Sequence, residues 1–101
     1  MRIIRWRADR RPTQEEAEAM FKDEGMEFSI EEYPGNAEVK DHRHPFDEVR
    51  MVIKGALRYN VAGNEFILRE GDRLELPSNT RHSTRAEPDI PCVTLFAFRV
   101  V

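Results

Sequence analysis

The chain has 101 residues, enough for one hydrophobic core and not for two, with 40% apolar and 35% charged residues. Its net charge of −3 mixes both signs throughout, so no basic stripe points to nucleic acid or to an anionic membrane. No run is long and apolar enough to span a bilayer, the start MRIIRWRADRR lacks the apolar segment of a secretory signal, and a single cysteine, Cys92, rules out an internal disulfide framework. These features favour a cytoplasmic protein.

In chain order, residues 2–7 (RIIRWR) read as a short opening strand. One helix follows. Thr13 suits its N-cap and Glu16 completes a capping box, while Ala17, Met20 and Phe21 form an apolar stripe and Gly25 suits the position just past the end. MEFSIEEY then sets Met26, Phe28 and Ile30 against Glu27, Ser29 and Glu31, the period-2 pattern of a half-buried strand. After a turn at Pro34-Gly35-Asn36 come further strand-like runs: AEVKDHRH, EVRMVIK, ALRYNV, EFILRE, DRLELP, HSTRAE and CVTLFAFRV. Gly55, Ala62-Gly63-Asn64, Glu70-Gly71-Asp72 and Pro77-Ser78-Asn79 punctuate them. Short strands at this spacing with one helix predict an all-β fold, a closed antiparallel sandwich or barrel.

Two of the three histidines stand one residue apart, in DHRHPFDE. On a strand, residues i and i+2 share a face at roughly 6.5–7 Å, close enough for two imidazoles to converge on one ion. His42 and His44 have this spacing, and Glu48 shares their parity beyond the Pro45-Phe46-Asp47 turn. A fourth ligand must come from another strand, and His82 is the histidine that remains. Three imidazoles and a carboxylate suit a divalent transition metal (Fe, Mn, Ni, Cu or Zn) rather than Ca or Mg. A His-x-His pair taken alone also fits a surface feature without a metal.

The spacing Gly35…His42-x-His44-x3-Glu48-x6-Gly55 resembles the first motif of the cupin superfamily, and Gly71-x5-Pro77-x4-His82 resembles the second. The resemblance covers roughly residues 26–98. It implies a cupin-type jelly-roll β-barrel over 26–101, with 1–25 as an N-terminal strand and helix extension. It also implies a metal held by His42, His44, Glu48 and His82. Three departures stand out: Gly35 and His42 are one residue further apart than usual, Asn79 replaces a glycine, and Ala86 replaces an asparagine. Asparagine tolerates left-handed backbone better than most residues, so Asn79 fits.

Arg50 lies two residues after Glu48 and faces the same interior. A buried arginine needs a partner. It is either a structural mate for a carboxylate such as Glu38 or Asp72, or a fork for an anionic substrate. The run DEVR followed by GDRLELPSNTRH resembles acireductone dioxygenases, whose chains are much longer and which carry an arginine at this offset. Leu57, Tyr59 and Val61 are expected inside the barrel with Phe66, Leu68, Leu74 and Leu76, and the Tyr59 phenol needs a hydrogen-bond partner, either a substrate or a water. Phe96 and Phe98 read as packing, Cys92 as a buried inert thiol, and Trp6 as a candidate for a subunit interface.

Val49, Met51 and Ile53 face away from Glu48 and Arg50 and require cover from the helix or from a partner subunit. Single-domain cupins are commonly dimers, so the resemblance implies a homodimer, with the RIIRW strand as a pairing edge. No phosphate loop, G-x-S-x-G elbow or cysteine pair competes with the metal motif. The expected function is a metal-dependent, dioxygenase-type enzyme acting on a small anionic or enolisable molecule, with Arg50 and Tyr59 as its catalytic residues. The rivals are a Lewis-acid isomerase or hydrolase, and a non-catalytic metal or small-ligand binding module. A structural site would be closed with Arg50 locked in an ion pair, and a catalytic one open at a mouth.

Overall fold

A computed structural model describes residues 1–99; Val100, at the end of the last expected strand, lies outside them. The elements run β1 (Arg2–Ile4), α1 (Gln14–Asp23), β2 (Ser29–Tyr33), β3 (Glu38–His42), β4 (Asp47–Lys54), β5 (Leu57–Val61), β6 (Asn64–Leu68), β7 (Arg73–Leu76), β8 (His82–Ala86) and β9 (Cys92–Arg99). The strands form two antiparallel sheets. One has the order β1-β7-β4-β9-β2 and the other β3-β8-β5-β6.

Residue parity divides the apolar side chains between two layers. In β4, Val52 joins Leu57, Tyr59, Val61, Leu68, Leu74, Leu76 and Cys92 between the sheets. Val49, Met51 and Ile53 face the other way, onto Ala17, Phe21, Met26, Leu95 and Ala97. The helix therefore supplies cover for that face. Both sides of β4 are buried from Glu48 to Ile53, which is why its sequence lacks a polar stripe. Burial pushes the Cys92 thiol up to about 12, consistent with an inert core residue.

Helix α1 begins at the expected cap. Thr13 Oγ1 accepts from the Glu16 amide at 3.1 Å, and Glu16 Oε1 accepts from the Thr13 amide at 2.9 Å. Gly25 follows with φ +73°. The helix has ten residues, and no described helix is long and apolar enough to cross a membrane.

Two local expectations change. The opening strand stops at Ile4, because Trp6 turns onto the β6–β7 connection: its amide donates to Asp72 Oδ1 at 2.9 Å and its ring covers Gly71. Trp6 thus makes its aromatic contact within the chain. β2 starts only at Ser29, so Met26 and Phe28 precede it and pack on the helix layer. Ile30 is 44% exposed, while Glu31 and Tyr33 turn toward the space between the sheets. β2 ends its sheet, so one strand of side chains there borders an opening.

Candidate metal centre

The sheets bring three imidazoles together from two loci. His42 ends β3 and is the cross-strand partner of His82, which opens β8. His44 lies past the end of β3, in the 43–46 connection, rather than on the strand expected from its spacing. Its placement comes from the opposite turn: the Asn79 amide donates to the His44 carbonyl at 2.7 Å, and the Ser78 amide donates to Asp47 Oδ1 at 2.8 Å. Asn79 takes φ +61° to do so, the left-handed conformation that asparagine tolerates. Phe46 stacks on His44 with ring centroids 4.7 Å apart and planes at 7°.

One ring nitrogen from each histidine lies within 4.8 Å of the other two. His42 Nδ1 faces the Lys40 carbonyl at 2.8 Å, and His82 Nδ1 faces the Thr80 carbonyl at 2.8 Å. Carbonyls only accept, so both Nδ1 atoms carry the proton and both Nε2 atoms present lone pairs. This outer hydrogen bond sets the tautomer that a metal-ligating histidine needs. Burial holds the pKa of His44 below the ordinary histidine value, with help from its two neighbouring imidazoles and against the pull of Glu48.

Glu48 reaches the cluster from β4 in the facing sheet and is 2% exposed. Its Oε1 lies 3.5 Å from His44 Nε2 and 3.8 Å from His82 Nε2. Its Oε2 is held by Tyr59 Oη, which donates at 2.9 Å, and by Arg50 Nε, which donates at 3.1 Å. One oxygen is thus restrained and the other turned toward the histidines. Burial alone would raise the Glu48 pKa, but the Arg50 charge and the hydrogen bonds from Tyr59 and Arg50 hold it below the ordinary carboxylate value.

This donor set fits a divalent transition metal. Neighbouring ligand atoms on one ion, at bonds of roughly 2.1 Å, lie roughly 3.0–3.4 Å apart. His42 Nε2 and His44 Nε2 are 3.1 Å apart, within hydrogen-bond distance of each other and within that range. Glu48 stands slightly further back because Tyr59 and Arg50 draw on its second oxygen. Glu48 and the three histidines therefore could hold an ion.

Arg50 pairs with carboxylates as a buried arginine must, though not with Glu38 or Asp72, the two named as examples. Glu38 is an exposed residue of the other sheet, and Asp72 is already taken by Arg5 at 2.7 Å and by the amides of Trp6 and Arg69. Arg50 instead donates from Nη1 to Thr94 Oγ1 at 2.8 Å, and the same nitrogen forms an ion pair with Glu31 Oε1 at 2.8 Å, besides its bond to Glu48. Phe96 covers its guanidinium at 4.7 Å and Tyr33 at 5.4 Å. Burial works against the charge, but the oxygens of Tyr59, Glu48, Tyr33 and Glu31 keep the arginine's pKa above its ordinary value. Tyr59, fully buried, spends its hydroxyl on Glu48 rather than on a space where a substrate could sit.

A cavity of about 530 Å³ opens beside the cluster, lined by Glu31, Tyr33, His42, His44, Thr84 and Phe96 among others. Phe96 is therefore a wall of the cavity as well as packing. Sequence reasoning passed over Phe46, Thr84, Thr94 and Glu31. An aromatic residue inside the His44-x3-Glu48 spacer was a usable signal for Phe46; the other three owe their positions to strand neighbours distant in sequence.

The comparisons with known proteins agree with this architecture. An acireductone dioxygenase of Methylococcus capsulatus is 38% identical over 64 residues, covering 57% of this chain and 34% of that protein, so the chain spans about a third of its relative's length. A cupin protein from Bacteroides fragilis matches with TM-score 0.66 at 24% identity, over 75% of this chain and 66% of that one. KdgF from Halomonas sp. matches with TM-score 0.60 at 28% identity, over 73% and 70% of the two chains. Residues 29–98 match the cupin domain. With that match spanning most of both sheets, the chain belongs to the cupin family.

Proposed function

We propose that His42, His44, Glu48 and His82 hold a divalent transition metal (Fe, Mn, Ni, Cu or Zn) and that the adjoining cavity is the active site of a dioxygenase-type enzyme. The observation that carries this reading is the cluster of three imidazole nitrogens within 4.8 Å of one another, two with their tautomer set from outside, with a Glu48 oxygen 3.5 Å from His44 Nε2 and 3.8 Å from His82 Nε2. The similarity to an acireductone dioxygenase supports the reaction type. When bound, such an ion supplies redox or Lewis-acid chemistry at a coordinated substrate oxygen.

The chain's own residues have separate tasks. His42 and His82 are oriented by the carbonyls of Lys40 and Thr80, and His44 by its backbone tie to Asn79 and the face of Phe46. Arg50 and Tyr59 are positioning residues: both act through Glu48 Oε2, keeping the carboxylate charged and turned inward. The substrate expected from the sequence was anionic or enolisable, and its anionic half rested on Arg50. With Arg50 engaged by two carboxylates, the reading retained is a small enolisable molecule. β1 lies at the edge of its sheet, which supports a homodimer formed through that edge.

A second reading is a non-catalytic binding module, and the ion-paired Arg50 favours it; the open cavity favours catalysis. Metal analysis of untagged protein purified without chelators tests the ligand set, with a His42→Ala/His82→Ala variant beside it. About one equivalent of metal in the native protein, lost in the variant, is the expected result. Oxygen uptake with enolisable compounds then separates the two readings. A stoichiometric Zn content would move the reaction toward isomerase or hydrolase chemistry. No metal in the native protein, and none taken up on addition, would overturn the assignment.

A further inference from the structure

The cavity wall carries one feature that the metal reading leaves unused, the carboxylate of Glu31. It sits on Arg50 Nη1 at 2.8 Å and lines the cavity. Thr94 Oγ1 takes the same nitrogen and donates in turn to the Glu31 carbonyl at 3.1 Å, so strand β2 and the guanidinium are held together twice.

Charge points the same way. The cavity is lined by Glu31, Glu32 and Glu48 against Arg50 alone. A divalent ion brings this set to balance and leaves no positive excess to attract a carboxylate. An entering carboxylate would also have to break an existing ion pair in order to form an equivalent one.

We infer that the cavity selects an uncharged small molecule bearing a hydroxyl or carbonyl group over a carboxylate, and that Glu31 is the residue that turns carboxylates away from Arg50. This rests on reading the cavity as the substrate site. Glu31 lies outside the proposed metal-ligand set, so the selectivity does not depend on that set being right.

The test uses two probes that share a methyl ketone and differ in the remaining group: hydroxyacetone, with a hydroxymethyl, and pyruvate, with a carboxylate. Their affinities for the full chain are measured by ligand-observed NMR, with metal content determined on the same samples. The native protein is expected to bind hydroxyacetone more tightly than pyruvate. Glu31→Gln should tighten pyruvate about tenfold by releasing Arg50. Tighter binding of pyruvate by the native protein, failure to bind either probe, or a pyruvate affinity unmoved by Glu31→Gln would each overturn the inference. A metal-free protein that keeps the preference would sink the metal reading and leave the ligand class standing. A metal-loaded protein with no preference would do the reverse.

Discussion

Replacing Tyr59 with phenylalanine isolates one hydrogen bond at the heart of the site. The ring is fully buried, stacked on Phe66 with centroids 5.5 Å apart and planes at 1°, and phenylalanine keeps those contacts. What is lost is the donation to Glu48 Oε2 at 2.9 Å, which leaves that oxygen with Arg50 Nε alone. A buried hydrogen bond to a charged group is worth about 1.5–3 kcal/mol, so metal-free Tyr59→Phe should lose about 2 kcal/mol at neutral pH. For a domain of this size that corresponds to a fall in Tm of about 8–16 °C. Urea unfolding of metal-free protein, with an unchanged m-value, is the assay.

The pH dependence carries a second signature. The folded pKa of Glu48 lies below its ordinary 4.5, so its stabilisation is complete above that value and is lost as pH falls through the folded pKa. Removing the Tyr59 donor raises the folded pKa. The gap between native protein and variant should therefore be full at neutral pH and narrow in acid. A loss under about 0.5 kcal/mol at neutral pH, or a gap independent of pH, would refute the claim that the Tyr59 hydroxyl holds Glu48.

Two further substitutions test the frame around the site. Gly71 has φ +93°, and a Cβ there would overlap the ring and Cβ of Trp6, so Gly71→Ala should cost about 2 kcal/mol or more and displace the one tryptophan. Thermal melting and a red shift in tryptophan emission report it; unchanged emission would show that Trp6 does not dock there. Thr13→Ala removes the hydroxyl that accepts from the Glu16 amide and should cost about 1 kcal/mol, with Thr13→Ser restoring most of the loss in the same thermal assay.

Much of the fold could be read directly because its causes are local. The capping box of Thr13 and Glu16 depends on residues three apart, and the inward set of Leu57, Tyr59 and Val61 on parity alone. The alternation of Glu48 and Arg50 with Val49, Met51 and Ile53 told which side chains shared a face, and the layers bear it out. Parity misled where a strand meets an opening. Met26 and Phe28, just before β2, pack on the helix layer, but Ile30 within β2 is 44% exposed while Glu31 beside it turns to Arg50.

By itself the sequence determined which residues are candidates for the site. His42, His44, Glu48 and His82 are chemically marked, and their spacing along the chain places them near strand ends where a jelly-roll can collect them. Only the tertiary structure decided who meets whom. Arg50 takes Glu31 and Thr94 because β4 and β2 both flank β9, an order that no local pattern encodes. Glu48 is turned inward by Tyr59 from the opposite sheet. Periodicity assigns a residue to a face, whereas hydrogen bonds and ion pairs depend on which faces the folded sheets bring within three ångströms of one another.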